Sequence, residues 1–169
     1  MNNKVAIFED NPRVLRAVCD YLRIVGNYCV TGFGTEEDLL KMSEVEADVA
    51  FIHLGYEVKK SEKMETVETI IKSLPKKTRR VLFSGHELGD ISDQVILLKG
   101  DHYIKLPVRA NKWDEYASFG KVTDEEVECR GVSFRFEGSI ILPGTESLPV
   151  RGSEAYSNSD SYFKREREV

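Results

Sequence analysis

Cysteine is scarce in this chain. There are three in 169 residues, Cys19, Cys29 and Cys129, with no C-x-x-C spacing. That excludes a disulfide framework and a thiolate zinc site. Cys19 falls on a helical face and Cys29 on a strand, so both are expected to be buried, reduced thiols. Long apolar runs are missing too, and none approaches the ~20 residues of a membrane span. Met-Asn-Asn-Lys runs straight into a strand pattern without a charged-then-apolar segment. The expectation is a soluble cytoplasmic protein with no membrane contact. Positive charge is also short: 24 Lys and Arg stand against 29 Asp and Glu, a net charge of -5. Nucleic-acid binding, which needs clustered cations, is therefore disfavoured. What is present is a core-forming share of hydrophobic residues, 41%. That is too much for a disordered chain, and the length suits one domain plus a modest appendage.

Strand and helix patterns alternate as far as residue 120. Val5-Ala6-Ile7-Phe8 is a short apolar run suited to a strand buried on both faces. Asn11 and Pro12 read as N-cap and first helical residue. Val14, Leu15, Val18, Cys19, Leu22 and Val25 then recur at helical spacing, and Gly26 closes the helix. Residues 28–33 read as a second strand. Thr35-Glu36-Glu37-Asp38 opens a second helix lined by Leu39, Leu40 and Val45. Val49–Ile52 is a third strand. Met64, Val67, Ile70, Ile71 and Leu74 form a helical stripe stopped by Pro75. Arg80–Ser84 is a fourth strand, Ile91–Leu98 a helix ending at Gly100, and His102–Lys105 a fifth strand. A last helix carries Trp113, Tyr116 and Ala117. This (βα)₅ order implies an α/β, doubly wound parallel five-stranded sheet with helices on both faces.

Residues 121–169 break the pattern. Val132, Phe134 and Phe136 alternate with polar residues, Glu137-Gly138-Ser139 is a turn, and Ile140–Leu142 follows. This predicts a β-hairpin whose apolar face docks on the domain or on a second copy, with an extended or flexible tail beyond. The expected division is 1–120 for the α/β domain and 121–169 for the hairpin and tail.

In open α/β sheets function gathers at the carboxyl ends of the strands. There stand Glu9 and Asp10, His53, Ser84 with Gly85, and Lys105-Leu106-Pro107. Together Phe8-Glu9-Asp10-Asn11-Pro12, Ala47–Gly55, Leu82-Phe83-Ser84-Gly85 and Tyr103–Pro107 resemble the CheY-like, flavodoxin-type response-regulator receiver family. The likeness covers roughly residues 4 to 120. It implies that Glu9 and Asp10 match the pair that helps hold Mg²⁺. His53 takes the place of the phosphoacceptor aspartate. Ser84 matches the hydroxyl that bonds the phosphoryl group. Lys105 stands for the phosphoryl-contacting lysine, or, in the other register, Leu106 does. Ser84 to Lys105 spans 21 residues, one short of the common family spacing. Glu57 stands where the family has a proline. Tyr103 sits near the family's switch aromatic. Tyr103 reads otherwise as an ordinary strand aromatic, and Trp113 and Tyr116 read first as core, although all three belong to the last helices and fifth strand, the family's usual contact surface.

His53 decides the expected chemistry. Acyl-phosphate formation needs a carboxylate nucleophile, and Mg²⁺ needs hard oxygen ligands. Imidazole offers neither, so no catalytic residue, metal or cofactor is expected. Glu9 and Asp10 could still meet a cation, and with His53 an imidazole-binding metal joined by His86, or His53 could relay phosphate. Each is weaker than a retained acidic pocket neutralised by His53 or Lys105. Lys76, Lys77, Arg79 and Arg80 read as a solvated basic loop. The resemblance with its departure implies a pseudo-receiver of two-component or phosphorelay signalling. It would act without phosphorylation, by binding a sensor kinase, another regulator or itself. It would not be an enzyme. The alternative is a DNA-binding regulator with its output in residues 121–169. Seven Lys or Arg against ten Asp or Glu give that segment a net charge of -3, and it has no helix-turn-helix pattern, which tells against that reading.

Overall fold

A computed structural model describes residues 2–35, 37–38, 41, 44, 46–54, 61–130, 134–136, 139–141 and 163–164. Five short strands form the frame: β1 (Lys4–Phe8), β2 (Cys29–Phe33), β3 (Val49–His53), β4 (Arg79–Ser84) and β5 (His102–Lys105). They pair in parallel in the order β2-β1-β3-β4-β5. The helices are α1 (Pro12–Val25), α2 (Ser61–Ser73), α3 (Leu88–Leu97) and α4 (Ala110–Ser118). The expected doubly wound α/β sheet is what forms. The second helix expected from Thr35 falls largely on residues outside the described ones, including Leu39, Leu40 and Val45. No helix of the described residues is long and apolar enough to cross a membrane.

Alternation along each strand splits the core in two. Ala6, Ala50, Ile52, Leu82 and Tyr103 face one side, where Val67, Ile70 and Ile71 of α2 and Ile91 and Val95 of α3 cover them. Val5, Ile7, Phe51, Phe83 and Ile104 face the other, under Val14, Val18 and Leu22 of α1 and Trp113, Tyr116 and Ala117 of α4. Trp113 is fully buried and meets Phe51 at 5.2 Å and Phe83 edge-on at 5.0 Å. Burying one such aromatic contributes roughly 1.5–3 kcal/mol, so this contact is a main tie between sheet and helix.

Local chemistry sets the ends of α1. Asn11 accepts at its side chain from the backbone N–H groups of Arg13 and Val14, and Pro12 follows in the first turn. Gly26 is the C-cap but stays in right-handed geometry; the left-handed residue is Asn27, at φ 54. Cys29 is exposed, not buried as its strand position suggested, because β2 is a sheet edge with a mostly exposed pattern. Cys19 is buried as expected, and burial pushes its thiol pKa up.

The chain beyond α4 turns back at Gly120, whose φ of 65 suits glycine. Val122 is buried and donates its N–H to Lys77 O at 3.0 Å. A short helix α5 (Asp124–Glu128) follows, started by a reciprocal capping box between Thr123 and Glu126. Strands β7 (Phe134–Phe136) and β8 (Ser139–Ile141) form an antiparallel pair, and β7 adds to β5 in parallel. The sheet thus has seven strands. A two-residue strand β6 (Val108–Arg109) pairs with β9 (Phe163–Lys164). The expected turn at Glu137 and Gly138, the flanking Val132 and Leu142, and nearly all of the tail lie outside the described residues.

Candidate functional site

The loop after β1 and the end of β3 meet at the carboxyl edge of the sheet, since β1 and β3 are neighbours in register, Phe8 beside Ile52. That juxtaposition brings His53 to Glu9 and Asp10. His53 Nδ1 lies 3.1 Å from Glu9 Oε1 and 3.1 Å from Asp10 Oδ1. Glu9 Oε1 also accepts the backbone N–H of Asn11 at 2.9 Å, at the start of α1. Glu9 is fully buried, His53 is 4% exposed, and the His53 ring stacks on Phe83 at 5.1 Å.

Electrostatics make this an ion cluster. Burial by itself would lower the His53 pKa. The hydrogen bonds His53 donates to Asp10 and Glu9, and their charges, outweigh it and hold His53 at about 9. His53 is therefore an imidazolium at neutral pH, its Nδ1–H shared by two carboxylates. Burial pushes the Glu9 carboxyl up against the opposing pull of His53. Its second oxygen, Oε2, is buried without a hydrogen-bond partner.

One ligand atom from each of Glu9, Asp10 and His53 lies within 4.8 Å of the others, and among the described residues they are the one such group able to hold a metal ion. The set does not suit Mg²⁺. A hard, octahedral cation wants oxygen ligands, and the atom facing both carboxylates is a ring nitrogen. His86, weighed as a fourth ligand, is not in the group.

Ser84 and Lys105 are neighbours in register on β4 and β5, but both are engaged elsewhere. Tyr103 donates its hydroxyl to His86 O at 2.5 Å, so Ser84 donates to Tyr103 Oη at 2.7 Å. Ser84 Oγ in turn accepts the His86 N–H at 3.1 Å. Lys105 forms an ion pair with Glu87, just ahead of α3. On strand alternation Lys105 shares the face of Tyr103, while Leu106 shares that of Ile104 and is buried in the core with it. The neutralisation of the acidic pair by Lys105 is thus not what forms: the partner is His53.

Two further expectations are corrected. Tyr103, Trp113 and Tyr116, candidates for a contact surface, are 0%, 0% and 3% exposed, which is the core reading the sequence also gave Trp113 and Tyr116. Their apolar bodies fill the space between sheet and helices. The basic loop is only half solvated, since Arg79 and Arg80 are buried. Arg79 Nε donates to Gly120 O at 2.8 Å, Nη1 donates to His102 Nε2 at 2.8 Å, and the guanidinium reaches Glu126 at 3.3 Å and lies over Phe119. Arg130, which the sequence did not mark at all, chelates Asp101 at 2.8 and 2.9 Å and donates to Lys76 O and Thr78 O. No local signal could have found these pairs, whose members lie 23 to 54 residues apart.

No family model and no curated protein matches the chain. Solved structures do. A CheY-like receiver domain from Methanospirillum hungatei JF-1 is 22% identical, with a TM-score of 0.54, over 71% of this chain and 100% of its own. A response regulator from Thermotoga maritima is 17% identical, with a TM-score of 0.58, over 70% and 97%. The receiver domain of RcsB from Salmonella enterica serovar Typhimurium, solved with phosphomimetic BeF3-, is 17% identical at a TM-score of 0.54, over 76% and 97%. At these identities the likeness establishes the CheY-like receiver fold.

Proposed function

We infer that this chain, built on the CheY-like receiver fold, is a pseudo-receiver of two-component signalling that works by protein–protein interaction without being phosphorylated. The observation that carries the reading is His53 Nδ1, 3.1 Å from both Glu9 and Asp10. Phosphorylation on this fold would need a carboxylate oxygen at that position, free to attack phosphorus and to share a divalent cation. Here the position holds an imidazolium whose Nδ1 carries a proton and is bound by the carboxylates that would recruit the cation. The nucleophile, the oxygen ligand and the open acidic pair are lost by one residue.

What remains for such a fold is recognition. A sensor kinase or another regulator is the partner class the fold supports, and the domain would present it with one standing conformation. Tyr103, with its hydroxyl fixed by Ser84 and His86 O, is part of that standing state. The buried state of Arg79 and Arg80 weakens a DNA-binding reading further.

The test is exposure to acetyl phosphate, and separately to beryllofluoride, with Mg²⁺, read by intact-mass spectrometry and by amide chemical shifts. No phosphoryl adduct and unchanged shifts are expected. A stable Mg²⁺-dependent adduct on the folded protein would overturn the proposal.

A further inference from the structure

The donor set that turns Mg²⁺ away suits another ion. Glu9, Asp10 and His53 each offer one ligand atom, and these atoms lie within 4.8 Å of one another. His53 Nδ1 stands 3.1 Å from Glu9 Oε1 and 3.1 Å from Asp10 Oδ1. A tetrahedral zinc ion, with bonds to nitrogen and oxygen of about 2.0–2.2 Å, sets its ligand atoms roughly 3.3 Å apart. The separations that serve a shared proton therefore fit that ion with little movement. One imidazole nitrogen with two carboxylate oxygens is also a donor set that zinc accepts.

A second observation points to a ligand. Glu9 is fully buried, and its Oε2 has no hydrogen-bond partner. Buried polar atoms are normally satisfied, and an orphan of this kind calls for a water or an ion. This oxygen belongs to the carboxylate whose Oε1 faces His53, so an ion in the cluster is within its reach. Charge agrees. Two carboxylates around one imidazolium leave a formal excess of one negative charge. Exchanging the proton for a divalent cation cancels it. The Asp10 side chain is 40% exposed, which gives an ion access from solvent and leaves that side to a water as fourth ligand. The other two ligands are held from behind. His53 stacks on Phe83, and Glu9 Oε1 accepts the Asn11 N–H at 2.9 Å.

We propose that Glu9, Asp10 and His53 form a zinc site, with His53 Nδ1 and an oxygen of each carboxylate as ligands. Binding breaks the Nδ1–H bond, forms the Nδ1–Zn bond and releases the proton to solvent. The site is the one on which the pseudo-receiver reading rests, and the proposal accepts that His53 displaces the acceptor carboxylate. Its failure would leave that reading intact, since the phosphoryl-adduct measurement tests the reading separately.

The full chain, freed of metal with a chelator, is titrated with Zn²⁺ and in parallel with Mg²⁺ by calorimetry. Co²⁺ serves as an absorbing stand-in. One Zn²⁺ per chain should bind, excess Mg²⁺ should not displace it, and Co²⁺ should give visible absorption. Amide and imidazole shifts should move at Glu9, Asp10, Asn11 and His53. Asp10→Asn, at a half-exposed position, should weaken Zn²⁺ by roughly tenfold or more. Absence of Zn²⁺ binding overturns the proposal, and so does equal affinity for Mg²⁺ or a folded Asp10→Asn that binds Zn²⁺ as tightly as the wild type. If that variant does not fold, the wild-type shifts decide. Shifts gathered instead at His86 or at the exposed Cys29 and Cys129 overturn it.

Discussion

The two ends of the parallel sheet gather charge of opposite sign. At the carboxyl end Glu9 and Asp10 share one imidazolium, His53, leaving a formal excess of one negative charge. At the amino end Arg79, Arg80 and Arg130 face Asp101 and Glu126, leaving an excess of one positive charge. The helices explain why both imbalances are tolerated. In a βα fold each crossover helix starts at the carboxyl ends of the strands and finishes at their amino ends. Its positive N-terminal pole faces the first cluster and its negative C-terminal pole the second. α1 begins at Pro12, directly after Asp10. The excess charge at each end complements the field it sits in. The ends differ in their joints: the carboxyl cluster hangs on one shared proton, and the amino cluster on chelated guanidinium groups. Even there the fit is incomplete. Arg80 Nε is buried without a partner, and burial, with Arg130 close by, lowers the Arg80 pKa to about 10.

The comparison breaks first at the amino end. Arg130→Ala leaves Asp101, whose side chain is 8% exposed, without its chelating partner, and frees the carbonyls of Lys76 and Thr78. Breaking a buried pair in this way costs about 3–5 kcal/mol. Urea denaturation should show a large fall in midpoint, together with faster exchange of the amides around Thr78. A loss under ~1 kcal/mol would mean that the clamp is a surface ion pair of ordinary worth.

The carboxyl end should respond to pH, and the amino end should not in the same window. His53 has a folded pKa of about 9 against an ordinary 6.5. A raised pKa means that the folded state binds the proton more tightly. The stabilisation is complete below pH 6.5 and is lost as pH rises through 9. The shift corresponds to ~3 kcal/mol across that window. Denaturation at pH 6.5 and pH 9.5 should show this decline, and Asp10→Asn, which removes one of the two carboxylates, should shrink it. Equal stability at both pH values in the wild type would show that His53 carries no extra proton in the fold.

The smallest effect sharpens the comparison by equality. Asn11 caps α1 at the carboxyl end and Thr123 caps α5 at the amino end, each satisfying backbone N–H groups. Asn11→Ala and Thr123→Ala should each cost ~1 kcal/mol. A much larger value for Thr123 would mean that α5 is needed to hold Glu126 on Arg79, since the two are joined through the same turn.

Much of this was legible in the residues. Val5 to Phe8, Val49 to Ile52 and Arg80 to Ser84 announce buried strands by composition. Asn11-Pro12 announces a helix start, and Ile70, Ile71 and Leu74 a helix face. The grouping of Glu9, Asp10 and His53 follows once those elements alternate, because parallel strands deliver all their carboxyl ends to one side. Lys105 shows where the reading ran out. Its side chain can reach the sheet end or Glu87, and spacing along one strand does not choose between them. Cys29 failed for a related reason: a strand pattern does not say which strand is the edge.

The order of apolar and polar residues determined the βα units and the two-sided core, since both rest on side-chain period. Tertiary structure alone decided that Arg79 and Arg80 are buried, that Arg130 is an anchor, that Lys105 leaves the site to His53, and that β5 is covered by β7. Those outcomes depend on which distant groups arrive beside a buried charge or an open strand edge. The penalty for leaving such a group unpaired is set by its surroundings in the fold, which no local stretch of the chain contains.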